Sequence, residues 1–284
     1  MRLLLTLLVN IVLMLAYALS LGPARRWRRP VQVVWCRALC FLAGLRVRQS
    51  GRVRTEGSTL FVANHVSYLD IPVIAQYADA TFVAKADVAR WPLFGHAAKL
   101  TGTIFVQRVG AEARAQGRQM LDRLSAGKNL MLFAEGTSTD GSAVAPFKST
   151  LFGIAENLPP GIDLVVQPVS ISYTRALDGT PLVGRWRELY CWFGDATMLP
   201  HLMRMVSLPG AEVELCFHEP IAAAGMNRKE LARRAQAAVA AGVAAANAPL
   251  IEEVMPEAAH TDGALSSAPD AAAVGTSRSA PAFH

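Results

Sequence analysis

By polarity alone the chain falls into three stretches. Residues 3–21, LLLTLLVNIVLMLAYALSL, are nineteen positions without a charge. As a helix they would extend about 28 Å, against a bilayer core about 30 Å thick. The next apolar run, residues 31–45, carries Arg37. It suits an interfacial helix or half of a membrane-dipping hairpin, and equally a core helix. From about residue 46, short apolar runs alternate with stretches of helical period. Strands are predicted at 59–63, 81–84, 103–106, 130–133, 164–172, 188–193 and 212–217. Helices are predicted at 69–77, 88–100, 111–126 and 147–157. A last helix is expected over 227–246, where Asn227 and Glu230 form a capping-box-like start. Beyond about Val254 the chain turns to Ala, Ser, Pro, Gly and Thr without apolar periodicity, which predicts a disordered tail.

This alternation predicts an α/β fold: a mixed, largely parallel sheet with flanking helices, preceded by an N-terminal membrane-helix motif. The expected segments are an anchor at 1–45, the α/β domain at 46–250 and the tail at 251–284.

Composition sharpens the picture. The 284 residues are 52% hydrophobic with a net charge of +6 and a pI near 9.4, so a negatively charged partner is expected. Nucleic acid is disfavoured: zinc-finger spacing and stacking-aromatic patterns are both missing from the sequence. The densest basic run, GPARRWRRP, sets Arg25, Arg26, Arg28 and Arg29 around Trp27 directly after the first apolar stretch. That pattern suits the headgroup layer with the positive cluster on the cytoplasmic side. A cleaved signal peptide would place its charge in front of a shorter apolar core. The four cysteines contain no C-x-x-C pair. Cys36 and Cys40 lie one helical turn apart with no acidic or histidine partner nearby, so neither a metal site nor a disulfide framework is expected.

Chemistry concentrates in FVANHVSYLD, residues 61–70. On one regular helix His65 and Asp70 would lie about 140° apart. They meet only if His65 sits in the turn after a strand and Asp70 in the first turn of the following helix. Sites in α/β sheets lie at such carboxyl ends of strands. A neutral imidazole there takes a proton from an alcohol, while the carboxylate fixes its tautomer. The same residues also fit plain cap chemistry, with Asn64 or Ser67 as the cap and Asp70 as a first-turn acid. The chain has no G-x-S-x-G, so a nucleophile-elbow serine is not indicated, and the reacting hydroxyl is assigned to the substrate. In GTIFVQR, Arg108 ends a strand and either clamps a phosphate or is a surface arginine. In LMLFAEGTSTDG, Gly136 and the N–H groups after it either cradle an anion, with Thr137 adding a hydroxyl, or form an ordinary turn. In VVQPVSISY, Pro168 marks a break in a central strand or, more simply, an edge strand.

In this order, the four stretches resemble the glycerolipid acyltransferase family typified by 1-acylglycerol-3-phosphate O-acyltransferases. Asn64, His65, Ser67 and Asp70 match its N-H-x-S-x-x-D block. Gly102, Phe105, Val106 and Arg108 match the second block; Phe133, Glu135, Gly136 and Thr137 the third; Val166, Pro168 and Val169 the fourth. Lys85, Pro92 and Gly95 carry a further likeness, and the whole covers roughly residues 45–220. The resemblance implies His65 as base and Asp70 as its partner. It implies an acceptor site using Asn64, Arg108, Glu135, Gly136 and Thr137. It also implies an acyl-CoA or acyl carrier protein donor, a lysolipid acceptor in a membrane, and no cofactor. The acceptor it points to first is 1-acylglycerol-3-phosphate, giving phosphatidic acid. Two departures bear on that choice. Ala134 replaces a proline, and Ser138 stands where the family carries an arginine implicated in binding phosphate. A subgroup acylating lyso-ornithine lipid, whose headgroup is zwitterionic, resembles the chain in EGTSTDG, PFKSTLF and WFGDATMLPHL. Further alternatives are a thioesterase and a non-catalytic lipid-binding membrane protein on the same scaffold.

Overall fold

The computed structural model describes residues 2–91, 93–107, 111–159, 161–194 and 196–255. Among them, eight strands form one sheet: β1 (Leu45–Gly51), β2 (Thr59–Ala63), β3 (Ala80–Lys85), β4 (Ile104–Val106), β5 (Asn129–Phe133), β6 (Val165–Ala176), β7 (Ala211–Phe217) and β8 (Ile221–Ala222). Their order is β1-β7-β6-β2-β5-β3-β4, with β8 beside β6. The pairs β1–β7, β2–β5, β2–β6, β3–β4 and β3–β5 are parallel; β6 runs antiparallel to β7 and β8. The helices are α1 (Arg2–Leu19), α2 (Arg28–Leu42), α3 (Asp70–Ala75), α4 (Phe94–Leu100), α5 (Ala111–Ser125), α6 (Arg185–Glu188), α7 (Met198–Ser207) and α8 (Arg228–Val254). The predicted α/β class holds.

Both faces of the sheet are covered, and β2 shows why its sequence is apolar from Leu60 to Ala63. Phe61 and Ala63 point into one core with residues of α2, α3 and α7, whereas Leu60 and Val62 point into the other with residues of α5 and α8. A central parallel strand has no solvent face, so polarity does not alternate along it. Residues 211–217, AEVELCF, do alternate, burying every second side chain.

Several elements differ from expectation. Residues 188–193 do not form a strand: Glu188 ends α6, and the chain continues as a loop whose Trp192 N–H donates to the Val66 carbonyl. Their apolar character comes from packing against that loop, because β7 already occupies the place beside β6. Strand β1 was not predicted: it starts at Leu45, the last residue of the apolar run 31–45, after α2 ends and the chain turns through Gly44 at φ +73°, and its residues 46–51 are mostly polar. The segment 147–157 folds as a 3-10 helix over Ser149–Glu156. Helix α8 continues past the boundary at 250 as far as Val254; the rest of the predicted tail, like Pro92, lies outside the described residues.

Among the described residues, only α8 is long and apolar enough to cross a membrane by length and composition. Its stripe Leu231, Ala235, Val239, Val243, Asn247 and Leu250 is buried, which makes it a core helix. Helix α1 carries an unburied apolar face: Leu4, Leu8, Val12, Leu15 and Leu19, at three- and four-residue spacing, are all exposed. Its other side holds α2, through Tyr17 against Trp35 and a hydrogen bond from Trp35 Nε1 to Asn10. In turn α2 seats on α3, where Arg29 donates to the Ala75 carbonyl. Cys36 and Cys40 are buried in that contact, which pushes both thiols up to about 12.

Candidate active site

Strand β2 ends at Ala63, and the next seven residues turn tightly into α3. Asp70, fully buried, organises this turn. Its Oδ2 accepts from the backbone N–H of Val66 (2.7 Å) and Ser67 (2.9 Å) and lies 2.8 Å from His65 Nδ1. Its Oδ1 accepts from the Tyr173 hydroxyl at 3.1 Å. A carboxylate so placed only accepts, so Nδ1 carries the proton and Nε2 keeps its lone pair. The His65 side chain remains 18% exposed. Ser67 is buried, its Oγ turned to the Leu69 N–H, as a helix-start residue would be. The two readings of the turn coincide: one carboxylate ties the turn and orients the imidazole.

The loop after β5 grips the same turn. Strands β2 and β5 are neighbours with Ala63 opposite Phe133, so their two following loops emerge side by side. Thr139 donates its N–H to the His65 carbonyl at 2.9 Å. Glu135 accepts from the His65 N–H on Oε2 (2.9 Å) and from the Ala145 N–H on Oε1 (2.8 Å). The Phe133 ring stacks on the imidazole at 3.9 Å and 17°. With backbone held at both ends, ring plane set by Phe133 and Nδ1 set by Asp70, little torsional freedom is left to His65.

On the other flank, Asn64 is buried and both ends of its carboxamide bond the backbone of Ile171 in β6, each at 2.9 Å. The predicted edge strand at Pro168 is overturned: β6 is central. Pro168 sits where the antiparallel partner changes from β8, paired at Val166, to β7, paired from Val169, so no ladder N–H is needed there. The buried Gln167 side chain fills this junction, bonding the backbone of Arg52, Arg54 and His218.

The residues expected to contact substrate are thus divided. His65 and Asp70 come together. Asn64 and Glu135 are internal braces, their polar atoms spent on backbone. Arg108 lies outside the described residues; β4, which leads to it, is two strands away from β5. The Gly136 N–H is committed to the Phe133 carbonyl and the Thr139 N–H to that of His65, which leaves the Thr137 and Ser138 amides without an acceptor among the described residues. Thr137 is exposed on this turn. Gly136 has φ +70°, and Lys148 lies across it, so close that a Cβ there would be 2.9 Å from Lys148 Nζ. Asp140 is at the far end of the loop, its Oδ1 accepting from Ser142. Sequence reasoning missed Tyr173, Phe133 and Thr139 as supports of the pair, because each reaches it from another strand or loop.

Glu135 predicts a pH dependence. Burial pushes its carboxyl up to about 7, against the pull of the two backbone donors. The unfolded chain releases that proton near 4.5. Between these values the folded state alone is protonated. The group's contribution to stability is therefore complete below 4.5 and is lost as pH rises through 7, a fall of about 3 kcal/mol. Urea unfolding at pH 5 and pH 8 should show this loss in the wild type and a much smaller one in Glu135→Gln. Equal slopes in the two proteins would contradict the assignment.

Residues 44–172 match the family model described as Acyltransferase. Over 234 residues the chain is 38% identical to the lyso-ornithine lipid O-acyltransferase of Rhizobium meliloti, covering 80% of this chain and 79% of that protein. The protein of the same name from Pseudomonas aeruginosa is 38% identical over 205 residues, 72% of this chain and 75% of its own. The 1-acyl-sn-glycerol-3-phosphate acyltransferase of Neisseria gonorrhoeae is 32% identical over 110 residues, 38% of this chain and 43% of that protein. The crystal structure of the 1-acyl-sn-glycerophosphate acyltransferase of Thermotoga maritima shares the fold, with a TM-score of 0.59 at 23% identity over 86% of this chain and 96% of that one. Identity of this extent, joined to the ordered motif blocks, shows that the chain belongs to the glycerolipid/lysophospholipid acyltransferase family and is an enzyme transferring acyl groups to lysolipids.

Proposed function

We propose that the enzyme esterifies the hydroxyl of lyso-ornithine lipid at a membrane surface, with acyl-CoA or an acyl carrier protein thioester as donor. The 2.8 Å contact between His65 Nδ1 and Asp70 Oδ2 carries the chemistry. Nε2 of His65 removes the proton of the acceptor hydroxyl as its oxygen bonds to the thioester carbonyl carbon. Asp70 stabilises the imidazolium. When the carbon–sulfur bond breaks, the imidazolium returns the proton to the departing thiolate, leaving ester and free thiol. On this reading the Thr137 and Ser138 amides and the Thr137 hydroxyl receive the acceptor.

Lyso-ornithine lipid is preferred to 1-acylglycerol-3-phosphate as acceptor on two grounds. Relatives named for it match about four-fifths of the chain, whereas the acylglycerol-phosphate relative matches 38%. Ser138 removes a cation from the turn, and Lys148 with Asp140 leaves one charge of each sign on the loop, which suits a zwitterionic head better than a dianion. The membrane reading is supported by the exposed apolar face of α1; on this reading 1–45 is the anchor, and the Arg25–Arg29 cluster favours a domain at the cytoplasmic face of a bacterial inner membrane.

The test offers purified enzyme lyso-ornithine lipid and lysophosphatidic acid separately, with either donor and with His65→Ala as blank. At least tenfold higher kcat/KM on lyso-ornithine lipid is expected, by about the energy of one lost charge-assisted phosphate contact. Preference for lysophosphatidic acid would overturn the acceptor assignment.

A further inference from the structure

A polar cavity lies at the opposite end of the sheet from His65. It has a volume of about 410 Å³ and is bordered by the starts of β3 and β5, the loop before β2 and the first turn of α2. It is separated from the His65 turn by the length of β2, about 17 Å for five residues. Five cations line it, Arg28, Arg29, Arg54, Arg123 and Lys128, against one carboxylate, Asp79.

Little of that charge is neutralised. Arg28 reaches Asp79 at 3.6 Å, a half-exposed pair. Arg29 is spent on the Ala75 carbonyl and Gln32. Among the described residues, Arg54, Arg123 and Lys128 have no carboxylate partner, and Arg54 Nε is buried with no hydrogen-bond acceptor at all. An orphaned buried guanidinium N–H is costly unless something accepts from it. Arginines gathered around a cavity match the several oxygens of a phosphate group. The side of the cavity formed by Tyr17, Arg28 and Arg29 is the α1–α2 turn, where Leu19, Leu21 and Trp27 are exposed. An apolar and aromatic rim beside a phosphate-sized basic pocket is the arrangement a lipid headgroup presents in reverse.

We propose that this cavity binds the phosphate of an anionic phospholipid headgroup, at a site separate from the acyl-transfer centre, with the acyl chains lying along the exposed face of α1. The proposal rests on the membrane reading given above. Helix α1 brings Tyr17 to the cavity and also packs on α7, whose His201 bonds Tyr68 in the turn that carries His65, so a lipid surface along α1 runs from the cavity toward the His65 end. An anionic lipid at one end then holds the His65 end at the depth where the acceptor hydroxyl lies.

Full-length protein would be floated with vesicles of phosphatidylcholine alone and with one-third phosphatidylglycerol. Arg54→Gln/Arg123→Gln would be compared with Arg233→Gln/Arg234→Gln, which removes equal charge from α8. Wild type and the α8 variant should bind the anionic vesicles more tightly than the neutral ones. The pocket variant should lose at least about tenfold of that enhancement, while keeping its binding to neutral vesicles and its acyl transfer to detergent-dispersed lysolipid. Equal losses in the two double variants would reduce the effect to diffuse charge and overturn the proposal. A parallel melt with glycerol 3-phosphate and inorganic phosphate separates the sources: stabilisation of wild type but not of the pocket variant, without any vesicle effect, would assign the cavity to a free phosphate ester and overturn the lipid. Failure of every protein to float on either vesicle would refute the membrane reading itself, and with it this proposal; flotation on both with no anionic enhancement would refute the proposal alone.

Discussion

His65→Ala should lower kcat for acyl transfer by about 10²–10⁴-fold, the usual range for removing a general base, and leave the fold intact. The second half of that expectation follows from where the imidazole sits. Its deletion takes one partner from Asp70, but Oδ2 keeps the N–H groups of Val66 and Ser67 and Oδ1 keeps Tyr173. No buried charge is orphaned. The stacking partner Phe133 loses one face, at a cost of about 1 kcal/mol. The backbone bonds from Glu135 and Thr139 to residue 65 do not involve the ring. Product formation with saturating donor and acceptor, next to a thermal melt, measures both quantities. A well-folded variant within tenfold of wild-type kcat would remove His65 from the chemistry.

Asp70→Asn is expected to be nearly as damaging to turnover, by about 10²–10⁴-fold, through the charge and the tautomer rather than the shape. An amide at this position must point its nitrogen somewhere. Turned toward Oδ2's place it would meet two backbone N–H groups, a donor facing donors. Turned toward Tyr173 it meets a phenol, which can accept as well as donate. The second orientation keeps the turn tied and limits the stability cost to about 1–3 kcal/mol. It still leaves the imidazolium without a carboxylate. Low activity with a cooperative, moderately weakened unfolding transition would match this account. Activity above a tenth of wild type would mean that His65 needs no anionic partner.

The two variants also distinguish the protein from a lipid-binding relative on the same scaffold. A binding protein would tolerate both substitutions without loss of lipid affinity. Here the pair is braced from β5, the loop after it and β6, a degree of fixation that lipid binding alone would not require.

Much of this was legible in the chain. Alternating apolar runs and helical periods implied the α/β sheet, because burial on two faces leaves stretches such as residues 60–63 without any polar position. The spacing of His65 and Asp70 required a turn between them, since five residues on a helix would hold them apart. Residues 188–193 misled because a loop buried against another loop has the same polarity as a strand. The first apolar stretch read as long enough to span a bilayer; the structure gives α1 one face for α2 and one for the outside.

The sequence by itself determined the fold class, the identity of the pair and the departure at Ser138, all of which are local in the chain. Tertiary structure decided what each neighbour does. Asn64 and Glu135 stand beside the pair in sequence motifs, yet their polar atoms are consumed by Ile171, His65 and Ala145. Tyr173, 103 residues from Asp70, completes its set of donors. The basic cavity draws on six separate stretches between Tyr17 and Asn129. Hydrogen bonds and charge clusters form between strands that pairing brings side by side, and that order is set by the packing of the whole chain rather than by any one stretch of it.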